Sequence, residues 1–178
     1  MKKVFFLMLA AIVFFSCNDS AKTDDATSKN ADTKNADAKA LYEKNLATLK
    51  SGITAFENEK IDDWAATIAD NAVFNSPAYG AKPAGKAEWK KGHEAYFADW
   101  DSLKLVDPNF LPGIDSITHE FDGSVRYYGF WNGVHKSGVR TSVSFYGTYD
   151  FDKDGKVVNG SDFFDLGGLM NAVANKPK

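Results

Sequence analysis

Residues 61–74 read IDDWAATIADNAVF and contain the change from helix to strand that decides the fold. Apolar residues recur through the first half at the spacing of one helix face: Ile61, Trp64, Ala65 and Ile68. The acidic pair at 62–63 suits the first turn of that helix. Residues 73–74 then begin a strand that stops at Pro77. The stretch therefore predicts a short helix over 61–68, followed by a strand that begins at residue 73.

The flanking sequence extends this pattern in both directions. Helical spacing predicts a longer helix over 41–56 and another from residue 86 to about residue 100. After Ser102 the periodicity becomes that of strands. Strands are predicted over residues 103–106, 114–121, 125–135, 139–151 and 156–164, with a short helical turn over 166–173. Helices followed by an antiparallel meander indicate an α+β domain with the helices on one face of the sheet.

This order of elements, with the phrase at 61–74, resembles the SnoaL-like proteins of the NTF2-like superfamily. The closing stretch FFDLGGLM, residues 163–170, is similar to the end of many such sequences. The resemblance covers residues 41–173 and implies an NTF2-like cone, with N-terminal helices packed on a strongly curved antiparallel sheet. It leaves the activity open, because this fold hosts isomerases, cyclases, dehydratases and binding modules.

The catalytic residues of the steroid isomerases in the same superfamily can be compared with the residues at the matching positions of this chain. Alignment through the shared phrase places Gly52, Ser76 and Gly147 where those enzymes carry a tyrosine and two aspartates. Glycine has no side chain, and an unassisted serine is not a base near neutral pH. The resemblance thus implies that this chemistry is absent and that the two glycines leave room in the cone.

Asp162 is the first candidate for a functional side chain. It alternates with Gly160 and Phe164 along the last predicted strand, and alignment to the family turns this face into the cone. One interpretation is an acid/base residue whose pKa is raised by desolvation. The other is a structural acceptor bonded to Tyr128, Trp131 or a backbone amide. The residues alone leave both interpretations open.

His119 and Tyr128 are the candidates to assist Asp162 by polarising a carbonyl group. His119 alternates with apolar residues and is predicted to point inward, as a core histidine, a pocket histidine or a general base. The other two histidines, His93 and His135, are predicted at the surface. Asp165 is predicted to cap the final helical turn.

A hydrophobic pocket is predicted from residues that would face the inside of the cone. Its ligand-binding candidates are Trp64, Phe74, Ser76, Tyr79, Phe130, Phe145 and Phe164. The main hypothesis is binding of a small, largely apolar or amphipathic molecule. The alternatives are a cofactor-independent isomerase, cyclase or hydro-lyase that uses Asp162, and a non-catalytic scaffold that dimerises through the sheet.

No metal or cofactor is predicted. Residues 150–155 match the first half of an EF-hand calcium loop, but Ser161 stands where the loop needs a bidentate glutamate. The flanking segments are predicted strands, and an Asp-Gly turn between strands explains the acidic run. The histidines share no metal-ligand spacing, and the phosphate-loop and dinucleotide signatures are absent from the sequence.

The N-terminus has the organisation of an exported lipoprotein. Two lysines precede an apolar run over residues 4–15, too short for a membrane span of about 20 residues, and Cys17 follows. This resembles a lipobox and predicts a signal peptide over 1–16, with acylation of Cys17, palmitate included. Residues 17–39 lack large apolar side chains and predict a disordered tether before a domain at 40–178.

Charge and composition restrict the remaining partners. The chain has 21 Lys and Arg against 24 Asp and Glu, and no basic stripe, so nucleic acid is not an expected partner. The predicted location is the cell envelope, through a lipid anchor and most simply at the outer membrane. The face of the membrane is left open.

Overall fold

The computed structural model describes the backbone of residues 24–175 and the side chains of residues 36–175. The chain divides into two units, Met1–Asn35 and Ala36–Lys178. The predicted signal peptide and Cys17 lie outside the described residues. Within the described part, no helix is both long and apolar enough to cross a lipid bilayer.

Over residues 24–175, four helices flank the strands: α1 (Asp24–Glu57), α2 (Ile61–Ala66), α3 (Lys86–Asp99) and α4 (Leu166–Ala174). The first helix begins earlier than the sequence predicted, so residues 24–39 of the predicted tether are helical. Alanine and lysine, frequent there, are strong helix formers even where no apolar stripe exists. The predicted cap of α4 is confirmed, since an Asp165 carboxylate oxygen accepts the backbone N–H of Gly168 at 2.8 Å.

Six strands form one sheet: β1 (Ile68–Asn75), β2 (Ala84–Gly85), β3 (Trp100–Ile114), β4 (Phe121–His135), β5 (Arg140–Phe151) and β6 (Val157–Phe163). Their order is β2-β1-β6-β5-β4-β3. The predicted antiparallel pairing holds except between β1 and β6, which are parallel. The sheet is therefore mixed. Irregular register along the β3–β4 pair marks bulges, which bend and twist long strands.

The region after α3 differs most from the sequence prediction. Two strands were predicted over 103–106 and 114–121, but β3 runs unbroken from Trp100 to Ile114 and residues 115–120 form a turn. Asp115 organises this turn, because its Oδ1 accepts the backbone N–H groups of Ile117 and Thr118 at 2.9 and 2.7 Å. An aspartate that bonds its own backbone in this way favours a turn over a strand.

The core lies between the first three helices and the inner face of the sheet. Its most completely buried side chains are Ile68, Val125 and Val157. Ile68 and Val157 are paired residues on β1 and β6. Glu57 joins the end of α1 to β3, where it accepts the backbone N–H of Leu105 at 2.9 Å and pairs with Lys104. These contacts hold the helices over the sheet and leave a cavity between them.

Candidate functional site

A cavity of about 650 Å³ lies between the helices and the inner face of the sheet. This volume is typical of small-molecule pockets, which measure about 300–1,000 Å³. Three apolar residues of α4, Leu166, Leu169 and Met170, contribute to its wall. The C-terminal helix therefore takes part in the cavity as well as the sheet and the N-terminal helices.

Aromatic rings form most of one wall. All four tryptophans of the chain line the cavity: Trp64, Trp89, Trp100 and Trp131. The Trp89 indole stacks on Phe74, with ring centroids 4.5 Å apart and planes 10° from parallel. A Cβ atom at Gly160 would come within 2.7 Å of the same indole. Glycine at this position of β6 therefore permits the close approach of Trp89.

A second aromatic wall comes from β4, β5 and the end of β6. Tyr127 stacks with Phe145 at 5.1 Å, and Phe145 stacks with Phe164 at 5.8 Å. A Cβ atom at Gly147 would lie 2.7 Å from the Tyr149 ring and 2.9 Å from that of Phe145. The space that Gly147 leaves is thus occupied by these two rings.

Asp162 points into this aromatic cavity from β6, opposite Gly147. The Tyr149 hydroxyl donates to its Oδ1 at 2.6 Å, and Oδ2 has no hydrogen-bond partner among the described residues. The carboxyl lies deep in the protein, and its surface is incompletely covered because it faces the cavity. Burial raises the pKa of Asp162 to about 7, and the Tyr149 hydrogen bond opposes part of that rise.

Three tyrosines lie close enough to Asp162 for its charge to affect them: Tyr96, Tyr127 and Tyr149. Burial is the main cause that raises the pKa of each phenol, and the charge of Asp162 adds to it. Tyr127 also accepts a hydrogen bond from the Trp131 indole N–H at 3.2 Å. The phenols are therefore neutral near pH 7 and present hydroxyl groups around the carboxyl.

His93 is a second polar residue of the cavity, and the prediction that it lies at the surface is wrong. Its ring packs against Trp64 and Phe56, with centroids 4.2 and 4.6 Å away. Burial lowers the pKa of His93 to about 3, so the imidazole is neutral. Its Nδ1 is buried with no partner among the described residues, as are Trp89 Nε1 and Asn132 Oδ1.

Five of the seven predicted pocket residues line the cavity: Trp64, Phe74, Ser76, Phe145 and Phe164. The other two do not. Tyr79 is fully exposed in the loop after β1, and Phe130 points from β4 toward the outer face of the sheet. His135, predicted at the surface, is half-buried and lines the cavity.

The two residues proposed to assist Asp162 are corrected by the structure. His119 lies exposed in the 115–120 turn with a φ of 59°. It is therefore not part of a strand, and its side chain does not line the cavity. Tyr128 is on β4 but faces outward and is 45% exposed. Adjacent residues of a strand point to opposite faces, so Tyr127 occupies the inward position instead.

Sequence reasoning missed Tyr149, Tyr127 and His93 as neighbours of the cavity. For Tyr149 and Tyr127, the sequence does contain a signal, the alternation of glycine with aromatic residues along one face of a strand. Gly147 and Tyr149 share one face of β5, and Tyr127 and Gly129 share one face of β4. Glycine beside an aromatic residue on one face marks a place where a ring needs room. His93 carries no such local signal.

The acidic turn after β5 is organised by hydrogen bonds to its own backbone. One Asp152 carboxylate oxygen accepts the backbone N–H groups of Asp154 and Lys156, both at 2.9 Å. Gly155 has a φ of +83° and closes the turn. Among the described residues, no group of three or more His, Cys, Asp or Glu side chains is arranged to hold a metal ion.

Solved structures with the same architecture allow the fold to be classified. The chain matches a proposed isomerase from Bacillus subtilis with a TM-score of 0.65, 20% identity and coverage of 76% of this chain and 96% of that one. A proposed polyketide cyclase from Xanthomonas campestris matches with a TM-score of 0.62 and 13% identity, over 75% of this chain and 98% of that one. An NTF2-like protein from Burkholderia pseudomallei matches with a TM-score of 0.59 and 18% identity, over 72% of this chain and 95% of that one.

No protein-family model and no curated protein matches the chain. At these identities, structural similarity establishes the fold, whereas function depends on the residues of the site. The fold implied by residues 61–74 and 163–170 is confirmed. The chain has the NTF2-like α+β fold, in which helices cover a curled six-stranded sheet.

Proposed function

We propose that the cavity binds a small, largely apolar molecule and that Asp162 is its polar anchor. The observation that carries this proposal is a buried carboxyl group inside an aromatic cavity of about 650 Å³. Pockets for small molecules combine apolar walls with a few convergent polar groups in this way. Trp64, Phe74 and Phe145 supply the apolar walls, and the hydroxyl groups near Asp162 supply the polar end.

Stability alone does not explain a carboxyl group at this position. Desolvation without a charged partner makes a buried carboxylate costly, and a core needs only apolar side chains. Groups with strongly perturbed pKa values in cavities are enriched at functional sites. The cost is therefore consistent with a role in recognition.

Native mass spectrometry of the protein purified from its own cells tests this proposal. We expect a co-purified small molecule on the wild-type protein that is lost or reduced on Asp162→Asn. Asp101→Asn is the matched control, because Asp101 is exposed on β3 and does not line the cavity. An Asp162→Asn protein that retains the molecule at the wild-type level would show that Asp162 is not the anchor that holds it.

A second candidate function is cofactor-independent catalysis of an isomerisation, cyclisation or elimination. The favouring observation is the pKa of about 7 at Asp162, which suits a residue that both takes and gives a proton near neutral pH. The Tyr149 hydroxyl then orients the carboxyl through Oδ1 and leaves Oδ2 for the reacting molecule. In this case Asp162→Asn retains the bound molecule but no longer converts it.

A third candidate, a dimeric scaffold, has a separate observation. Tyr128, Tyr146 and Phe163 form an exposed aromatic row across β4, β5 and β6, in which each neighbour is a cross-strand partner. We propose that a second copy of the chain covers this row. The native mass of the ligand-bound species distinguishes monomer from dimer in the experiment above.

For the location of the protein, we propose attachment to the cell envelope through acylated Cys17. Cys17→Ser should release the protein from membranes, because two acyl anchors normally provide stable attachment. The measurement is partition into a detergent phase together with incorporation of labelled palmitate. Ser16→Ala leaves the thiol in place and is the control. Membrane attachment that survives Cys17→Ser would contradict the lipoprotein hypothesis.

A further inference from the structure

The cavity carries negative but not positive side chains. Its lining includes the carboxyl groups of Asp162, Glu88 and Asp99, and no Lys or Arg lines it among the described residues. Lys136 pairs with Asp99 at the outer end of α3 but is not part of the lining. A ligand with a carboxylate or phosphate group would therefore find no cation to pair with and would lie near Asp162.

Among the described residues, Asp162 also lacks a positive partner. Burial and the Tyr149 hydrogen bond are the causes that set its pKa, and no cationic side chain contributes. Buried carboxylates are normally paired with a cation. Oδ2 has no partner in the part of the chain that the structure describes, and the carboxyl faces the cavity, so a ligand is positioned to supply the missing charge.

The surrounding rings suit a cation as well. Tyr149 lies near Asp162, and the open faces of aromatic rings attract ammonium groups within about 6 Å. Tyr127 is stacked on both Phe145 and Tyr149, so it supports the wall and does not offer a face of its own. Trp89, Trp131 and Phe145 extend the aromatic surface along the cavity. Aromatic walls beside one unpaired carboxyl are the arrangement that recognises organic ammonium ions.

We infer that the ligand of this cavity is an organic cation, an amphipathic amine whose ammonium group lies against Asp162 and whose apolar body lies between the aromatic walls. This inference rests on the proposed binding function and names its ligand class. It does not depend on the catalytic alternative.

The inference predicts a pH dependence, so the ionisable groups near the carboxyl matter. Tyr149 and Tyr127 face it from β5 and β4, and Tyr96 from α3; all three stay neutral near pH 7. The remaining ionisable groups of the lining are Glu88, His93, Asp99 and His135. His93 is neutral above about pH 3, and the pKa of Asp99 is lowered by its hydrogen bond with Lys136.

Two molecules of equal shape and different charge provide the test on the mature full chain. Benzyltrimethylammonium carries a permanent positive charge, and neopentylbenzene is its neutral isostere. The quenching of tryptophan fluorescence reports binding, because all four tryptophans line the cavity. At pH 8.5 we expect benzyltrimethylammonium to bind at least about 10-fold more tightly than neopentylbenzene, and 4-tert-butylbenzoate not to bind.

The pH profile identifies the group responsible. If only the ionised carboxyl binds the cation, a pKa of about 7 predicts an affinity about 30-fold higher at pH 8.5 than at pH 5.5. Asp162→Asn should remove both the pH dependence and the charge preference. Asp101→Asn, which changes an exposed carboxylate outside the lining, should retain both. Should Asp162→Asn fail to fold, the wild-type protein still tests the inference through the pH dependence of the affinity and the preference for the charged over the neutral probe.

The outcomes separate this inference from the function on which it rests. Equal or tighter binding of neopentylbenzene overturns the cationic ligand and leaves an apolar binding site. Preference for 4-tert-butylbenzoate overturns it as well. If none of the three probes binds and the native protein carries no small molecule, both the inference and the proposed function are wrong.

Discussion

Trp89→Ala should lower the free energy of unfolding by about 3–5 kcal/mol, the range for removal of a large buried aromatic side chain. Trp89 is only 4% exposed and lies at the centre of the aromatic wall, stacked on Phe74 and edge-on to Trp64. Gly160 has no side chain to fill the space that alanine would leave. The cavity and the void left by the indole would therefore merge.

Urea unfolding at pH 5 measures this loss, and Tyr79→Ala is the matched control. Tyr79 is also aromatic but fully exposed, so its replacement should change the free energy of unfolding by less than about 0.5 kcal/mol. A loss below 1 kcal/mol for Trp89→Ala would show that the indole does not support the packing of α3 on the sheet.

The free energy of unfolding of the wild-type protein should decrease as the pH rises, and Asp162→Asn should remove this decrease. The pKa of Asp162 is about 7 in the folded state against 3.8 without burial. Between these values the folded state binds more protons than the unfolded state, so stability decreases from pH 4 to pH 7 and then levels off. For a shift of this size the decrease is about 2–4 kcal/mol.

The variant is therefore expected to match the wild type near pH 4 and to exceed its free energy of unfolding above pH 7. Asparagine keeps an oxygen that can accept the Tyr149 hydroxyl, so this hydrogen bond need not be lost. Urea unfolding at several pH values gives the comparison, with Asp101→Asn as the exposed control. A variant less stable than the wild type at pH 8 would identify Asp162 as a structural acceptor.

Local sequence was sufficient for the order of the elements, and the predicted residues that line the cavity are Asp162 and five of the seven pocket candidates. The helical spacing at 61–66 and the strand pattern of β4, β5 and β6 are short-range signals that tertiary contacts did not override. The inward direction of Asp162 followed from period-two alternation with Gly160 and Phe164, combined with the family alignment. The signal peptide and the acylation of Cys17 stay predictions, since they lie outside the described residues.

Tertiary structure decided the partners of Asp162. In β4, aromatic residues occupy both alternating sets, Tyr127 with Trp131 and Tyr128 with Phe130, so apolar periodicity does not distinguish the inner from the outer face. Only the pairing of β4 with β5 sets that direction, because a shift of one residue would reverse every side chain. The sequence alone therefore selected Tyr128, and the fold places Tyr127 in the cavity.

Two of the misplaced histidines, His119 and His93, show where sequence neighbours were misleading. His119 alternates with Ile117 and Phe121 as a strand residue would. The Asp115 carboxylate accepts backbone N–H groups at residues 117 and 118, and these hydrogen bonds form a turn instead. His93 has charged neighbours along the chain, but the packing of α3 brings Phe56 and Trp64 against its ring. The burial of His93 therefore depends on residues distant in sequence, which only the tertiary structure brings together. The sequence by itself determined the order of the elements and five of the pocket residues, because these depend on short-range periodicity.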